Sequence, residues 1–167
     1  MTMTPPGDQA TVTVFVAVDP ATAFEVFTTE TDLWWKRGVR FRAAGRALGT
    51  MCFEPGVGGR LFETVTSRAG TPATLVIGRI LVWQPPSRLV VEWRNTNFAP
   101  GEQTEVEVLF EPAEFGTRVT VHHRGWSTLR PDHPARHGLA GPAFSRMMGL
   151  WWGEMMTSFR ERTETKL

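Results

Sequence analysis

Residues 11–27 read TVTVFVAVDPATAFEVF and carry a strand followed directly by the start of a helix. Because the side chains of a strand alternate between its two faces, the four valines of residues 12–18 share one apolar face. Asp19 and Pro20 are typical of a helix N-terminus, since aspartate accepts hydrogen bonds from free backbone N–H groups and proline fits the first helical position. A second short helix is predicted at 31–35, so two short helices separate the first strand from the second.

The middle of the chain consists of extended runs separated by turn residues. Glycine and proline clusters such as PGVGG at 55–59 and QPPS at 84–87 mark the turns. The predicted strands are 49–54, 60–68, 73–83, 89–95, 104–112 and 117–126. Short strands joined by tight turns predict an antiparallel meander.

The last segment changes to a helical period. After Gly141 and Pro142, apolar residues recur at intervals of three and four. They are Phe144, Met147, Met148, Trp151, Met155 and Phe159. The sequence therefore predicts an α+β fold: a sheet of about seven antiparallel strands, two short helices between strands 1 and 2, and one long C-terminal helix. We expect a single domain over 10–167, preceded by a disordered lead-in at 1–9.

Composition excludes several classes of protein. The 167 residues carry a formal net charge of +1, which provides no overall positive field for nucleic acid. Charged residues interrupt the chain too often for a membrane span, and the single cysteine, Cys52, excludes an intramolecular disulfide. We therefore expect a cytoplasmic protein. Seven tryptophans, eleven phenylalanines and seven methionines without a tyrosine suit an apolar cavity as well as a solid core.

Several short motifs, in this order and spacing, resemble the helix-grip superfamily, also called START-like or SRPBCC. Within it they are most similar to the homologues of the activator of the heat-shock-protein-90 ATPase. The motifs are VAVDP at 16–20, WW at 34–35, FEPGVGGR at 53–60 with Glu63, GRI at 78–80, WQP at 83–85, LVVEW at 89–93, GTRVTV at 116–121 and HRGW at 123–126. The resemblance covers nearly the whole chain.

The resemblance implies a curved sheet that grips the C-terminal helix, with a ligand cavity between them. Members of the superfamily bind lipids, sterols, polyketides or hormones there. We therefore expect a protein that binds a small hydrophobic ligand of lipid, polyketide or aromatic type and is not a catalyst. A cyclase or hydrolase acting on a polyketide-like substrate is one alternative, and a chaperone-activating or stress-response module is the other. The irregular segment 37–48 is a candidate lid over the cavity mouth.

His123 is the best candidate for a catalytic residue. Alternation assigns His123 to the apolar face with Val119 and Val121, whereas His122 faces outward. Histidine titrates near neutral pH and can act as acid or base, so turnover in the enzyme alternative would depend on His123. The competing interpretation is a hydrogen-bonded core or pocket-wall histidine without a catalytic role.

Two charged residues are predicted as further polar anchors. Glu63 could pair with Arg79 if both strands turn these faces inward, whereas Arg60, Phe62 and Thr64 form an alternative inward face of their strand. The predicted ligand-binding residues are Trp34, Glu63, Arg79, Trp93, Val121, His123, Met148, Trp151 and Met155.

No metal site or cofactor is predicted. His133 and His137 have a spacing that binds zinc on a helix, but Pro134 between them favours a loop, and no nearby cysteine or glutamate completes a ligand set. Nucleophile-elbow and phosphate-loop motifs are absent from the sequence. The expected partner is a small apolar molecule, bound by a monomer or homodimer. A chaperone contact would use the acidic edge formed by Glu102, Glu105, Glu107, Glu111 and Glu114.

Overall fold

The computed structural model describes residues 4–44, 49–67, 69–95 and 97–167. Its strands are β1 (Ala10–Val16), β2 (Gly49–Phe53), β3 (Arg60–Thr66), β4 (Pro72–Gln84), β5 (Arg88–Trp93), β6 (Thr104–Ala113) and β7 (Gly116–Arg124). They form one antiparallel sheet in the order β1-β7-β6-β5-β4-β3-β2. This order confirms the predicted sheet of about seven antiparallel strands, in which β2 to β7 form the meander and β1 pairs with β7. Residue 68, predicted at the end of the third strand, lies outside the described residues.

The helices pack against the sheet as the sequence predicts. They are α1 (Pro20–Thr29), α2 (Thr31–Trp34) and the 24-residue α3 (Gly141–Glu164). Asp19 caps α1 by accepting a hydrogen bond of 2.8 Å from the Thr22 N–H. Two single-turn 3-10 helices, Trp126–Thr128 and Pro134–Arg136, connect β7 to α3. α3 packs along β1 and against α1 and α2, which confirms the helix-grip fold.

A bulge in β4 changes which of its side chains face the helices. The register between β3 and β4 shifts at Leu61/Phe62, leaving Ile77 as an extra residue in β4. Alternation therefore reverses at this point, and Ile77 and Ile80 are both buried. Arg79, predicted to share the inward face with Ile77, instead lies exposed on the outer face.

The start of the chain is fastened to the body of the domain. Asp8 accepts hydrogen bonds from the backbone N–H and the hydroxyl of Ser127, and the Trp126 N–H donates to the Asp8 carbonyl. Within the predicted disordered lead-in, Asp8 thus contacts the segment that follows β7, while residues 1–3 lie outside the described residues. None of the described helices has the length and apolarity needed to cross a bilayer.

Candidate functional site

Tryptophan and phenylalanine side chains fill the space between the sheet and α3. Trp35 stacks on Trp93 with ring centroids 5.9 Å apart and planes inclined by 12°. Trp152 meets Trp93 at 6.0 Å, and Trp34 meets Phe159 of α3 edge-on at 5.5 Å. The void left beside Trp35, Trp93 and Trp152 measures about 10 Å³, which holds at most one water molecule. The middle of the grip, where a ligand cavity was expected, is therefore a packed core.

An open cavity of about 600 Å³ lies instead beside the N-terminal half of α3. Its aromatic and thioether lining comes from β5, the β5–β6 loop, the first 3-10 helix and α3. These residues are Trp93, Phe98, Trp126, Met147, Met148 and Trp151. The remaining lining residues are Val39, Arg40, Asn95, Asn97, Ala135 and His137. This surface is mostly apolar, with a few polar groups, as in ordinary small-molecule sites.

Trp151 ties one wall of the cavity to α3. Its indole N–H donates a hydrogen bond of 2.7 Å to the Arg40 carbonyl, and its ring lies 5.7 Å from that of Phe41. The same ring meets Trp93 edge-on at 6.3 Å. Trp151 therefore connects the sheet, the helix and the segment around Arg40.

A buried arginine anchors the irregular segment that was predicted as a lid. The guanidinium of Arg42 pairs with Asp32 at 2.6 Å and donates to the backbone carbonyls of Asp32, Trp35 and Lys36. Burial raises the pKa of Asp32, but the Met51 N–H and Arg42 outweigh it, so that this pKa lies below its usual value. The described part of the segment, residues 37–44, is thus fixed to α2 and β2. Residues 45–48 lie outside the described residues.

Three charged groups meet at the cavity mouth. Glu154 of α3 lies 3.4 Å from the Arg40 guanidinium and 3.6 Å from the Lys36 ammonium. All three side chains are solvent-exposed, with 63% of the Arg40 side chain accessible. Such pairs are weak, so Arg40 is free to rearrange.

His123 lies in the core and both of its ring nitrogens are engaged. Nδ1 accepts a hydrogen bond of 3.1 Å from the Trp152 indole N–H, so the ring proton is assigned to Nε2, which donates to the Thr104 hydroxyl at 2.7 Å. Burial lowers the pKa of His123 from 6.5 to about 3. His123 is therefore neutral near pH 7, and no free ring nitrogen remains for acid–base work. This geometry corresponds to the core-histidine interpretation.

Glu63 and Arg79 do not form the predicted pair. Glu63 faces inward with Leu61 and is fully buried, whereas Arg79 points outward and donates to the Gly58 carbonyl at 3.4 Å. The Glu63 Oε1 accepts from the Ala44 N–H at 3.1 Å. Its Oε2 has no hydrogen-bond partner among the described residues. Of the two inward faces of β3 that the sequence left open, the structure has the one that carries Glu63, but the β4 bulge removes the predicted partner.

The structure brings only some of the predicted site residues together. Trp93, Met148 and Trp151 line the open cavity. Trp34, Val121, His123 and Met155 belong to the core instead, each no more than 1% exposed. The cavity residues that sequence reasoning missed are Val39, Arg40, Asn95, Asn97, Phe98, Trp126, Ala135, His137 and Met147. Met147 was visible in the helical series, but the loop residues carry no periodic signal.

A second depression, of about 710 Å³, lies between α1, α2 and the edge strand β2. It is a wide groove in which most of the carboxylates already form ion pairs. Glu30 pairs with Arg162 at 2.6 Å and with Lys166 at 2.7 Å, and Asp32 is held by Arg42. We therefore take the aromatic cavity beside α3 as the candidate site.

The acidic edge proposed for chaperone docking is largely neutralised by arginines. Glu105 lies 2.6 Å from Arg124, and Glu107 lies 2.7 Å from Arg88. Glu102 and Glu111 are paired with Arg130 and Arg118, respectively. The outer face of the sheet is therefore a mixed-charge surface.

The two histidines with zinc-like spacing do not converge. His133 is buried and accepts from the Ala135 N–H at 3.1 Å, whereas His137 is exposed just after the second 3-10 helix. Burial lowers the pKa of His133, and Glu102 partly opposes that change. Among the described residues, no group of three or more His, Cys, Asp or Glu side chains is placed to hold a metal ion.

A curved seven-stranded sheet, a long C-terminal helix and an aromatic cavity beside that helix define a helix-grip domain of the START-like class. The family model described as "Activator of Hsp90 ATPase homolog 1-like protein" matches residues 17–162. The chain therefore belongs to this family. No curated protein matches it.

Solved structures support the fold. NE0264 from Nitrosomonas europaea has a TM-score of 0.62 at 16% identity, covering 96% of this chain and 97% of its own. The AHSA1-like protein from Aeromonas hydrophila has a TM-score of 0.59 at 14% identity, covering 95% and 93%. DynU16, a protein in the dynemicin biosynthetic locus, has a TM-score of 0.60 at 16% identity, and the match covers 95% of this chain but 48% of DynU16. At these identities the likeness shows the fold alone.

Proposed function

We propose that the protein binds a small apolar molecule, of aromatic or polyketide type, in the cavity beside α3. The observation that carries the proposal is the contrast between a sealed interior, with a void of about 10 Å³, and an open cavity of about 600 Å³ lined by tryptophan and methionine. An exposed apolar concavity of this kind is costly in water unless a ligand covers it. The family and the DynU16 fold are compatible with ligand binding.

The composition of the wall favours ring systems. Trp93 and Trp151 are 6.3 Å apart and inclined by 81°, so a flat ligand lying against one ring meets the edge of the other. Met147 and Met148 adapt to irregular apolar shapes. A ligand that buries about 200 Å² of apolar surface gains about 5 kcal/mol, from which the entropic cost of association must be subtracted.

The proposal is for a binding protein and not for an enzyme. The cyclase or hydrolase alternative relied on His123, which is fully buried and neutral near pH 7. We also do not extend the proposal to a chaperone contact, because arginines pair with four of the five glutamates that would form the docking surface.

The test is titration with N-phenyl-1-naphthylamine, a neutral apolar dye whose fluorescence rises in an apolar site. We expect saturable binding that Trp151→Ala weakens. Leu150→Ala is the matched control, because Leu150 is the neighbouring α3 residue, is 65% exposed and does not line the cavity. No saturable binding, or binding that responds to Leu33→Ala in the groove beside α1 and not to Trp151→Ala, would overturn the proposal.

A further inference from the structure

The polar groups of the aromatic cavity are all neutral or cationic. Among its lining residues Arg40 supplies a guanidinium, His137 an imidazole, and Asn95 and Asn97 supply amides. The described lining includes no aspartate or glutamate. A ligand carrying a carboxylate would therefore meet hydrogen-bond donors and no like charge among the described lining residues.

The mouth of this cavity carries an excess of positive charge. Lys36 and Arg40 share a single carboxylate, Glu154, at 3.6 and 3.4 Å. If Arg40 turned toward a ligand anion, Lys36 would still neutralise Glu154. The exchange therefore leaves no charge unpaired. It gives up two contacts of low strength, the exposed ion pair with Glu154 and the cation–π contact of the Arg40 guanidinium with the Phe41 ring at 5.2 Å.

A further guanidinium close to the cavity is held by backbone carbonyls. Arg136 lies between the lining residues Ala135 and His137 and donates to the carbonyls of Trp126, Leu129 and Arg130. A buried cation of this kind is poorly screened by salt and adds to a positive potential.

We propose that the ligand of this cavity is an apolar acid, whose ring system lies against Trp93 and Trp151 and whose anionic group binds Arg40. This inference rests on the proposed function and adds the charge of the ligand to it. Arg40 suits the role because its guanidinium can hold a carboxylate through two parallel hydrogen bonds. The backbone of Arg40 is held at the cavity, since its carbonyl accepts the hydrogen bond of the Trp151 indole N–H.

The test compares 2-naphthoic acid with 2-naphthamide, which have the same ring system and nearly the same shape but differ in charge. Affinities are measured by calorimetry near neutral pH, at low and at high ionic strength. We expect the acid to bind about three- to tenfold more tightly than the amide at low salt, with the difference shrinking at high salt. Arg40→Gln should remove this preference, because it should weaken binding of the acid much more than binding of the amide.

Two variants serve as controls for charge alone. Arg146→Gln removes the same charge from an exposed position of α3 that does not line the cavity, and it should leave the preference intact. Glu154→Gln releases Arg40 from its competitor and should strengthen binding of the acid. Equal affinities for acid and amide in the native protein, unaffected by Arg40→Gln, would overturn the anion preference while leaving the proposed function standing. Failure of both compounds to bind would overturn the proposed function and this inference with it.

Discussion

Acidification should destabilise the protein through His123 before its carboxylates protonate. The His123 pKa is about 3 in the folded protein, against 6.5 for an ordinary histidine. The unfolded chain therefore binds a proton between these values that the folded protein does not bind. Because the folded pKa is the lower one, the free energy of unfolding is unaffected well above pH 6.5 and falls as the pH drops below it.

The size of this effect follows from the two pKa values. Between about pH 7.5 and pH 5 the unfolded histidine becomes almost fully protonated, which removes about 2 kcal/mol from the free energy of unfolding. No charged group of the described residues compensates, because the rings and the hydroxyl around His123 belong to Trp93, Trp126, Trp152 and Thr104. The acidic groups with lowered pKa values, such as Glu54 at about 2, lose their stabilisation at lower pH, starting near the ordinary pKa of 4.5 for glutamate and 3.8 for aspartate. Between pH 7.5 and pH 5, the change in the free energy of unfolding therefore comes from histidine and not from these carboxylates.

The assay is urea unfolding as a function of pH, compared between the native protein and His123→Gln. His133, whose pKa is also lowered, contributes to both proteins equally and cancels in the comparison. Below pH 6.5 the free energy of unfolding should fall less steeply with decreasing pH in the variant than in the native protein. The two slopes should differ by about 1.4 kcal/mol per pH unit, which is the value for one proton. If the free energy of unfolding fell with pH at the same slope in both proteins, the reasoning would be refuted. If the variant does not fold, long-range ¹H–¹⁵N NMR of the native protein decides, because His123 should remain the neutral Nε2–H form down to about pH 5.

Four other substitutions test the buried polar groups and the backbone. Arg42→Met removes a guanidinium with 1% side-chain exposure from Asp32 and from four backbone carbonyls, that of Gly49 included. Urea unfolding should show a loss of about 3–5 kcal/mol, and a loss within error would show that these contacts are dispensable. Glu63→Ala removes the buried oxygen that accepts from the Ala44 N–H, so the unfolding free energy should fall by about 1–3 kcal/mol, and a rise would contradict the assignment. Gly78→Ala would place a Cβ 1.9 Å from a backbone oxygen and should lower the melting temperature, whereas Gly153→Ala, with open space in α3, should raise it; the reverse order would be incompatible with this packing.

The order and type of the elements could be predicted because local signals agree with the tertiary structure. Asp19 and Pro20 set the start of α1, and the glycine and proline clusters set the ends of the strands. The predicted strand at 73–83 is observed as Pro72–Gln84, and the helix predicted after Gly141 begins at that residue. The face of β1 followed from its alternating valines, because an edge strand with one buried face carries a clear period of two.

The candidate site was predictable only where it lies on regular elements. Met148 and Trp151 were found because a helical period places them on the side of α3 that meets the sheet. Arg40, Phe98 and Trp126 come from irregular segments, whose positions depend on long-range contacts such as the Trp151 hydrogen bond. Arg79 was misplaced because a single bulged residue reverses the face of a strand, and the sequence around it gives no sign of the bulge.

Trp93 explains how the packed core and the open cavity are related. Its side chain lines both the interior void of about 10 Å³ and the outer cavity of about 600 Å³, so this ring separates them. It is held from the interior side by stacking on Trp35 and by the edge of Trp152. A ligand that enters from the mouth therefore stops at Trp93, because further entry would require unpacking three tryptophans. The space available to the ligand is set by the outer cavity alone, which favours a compact ring system over a long acyl chain that would need to pass through the grip.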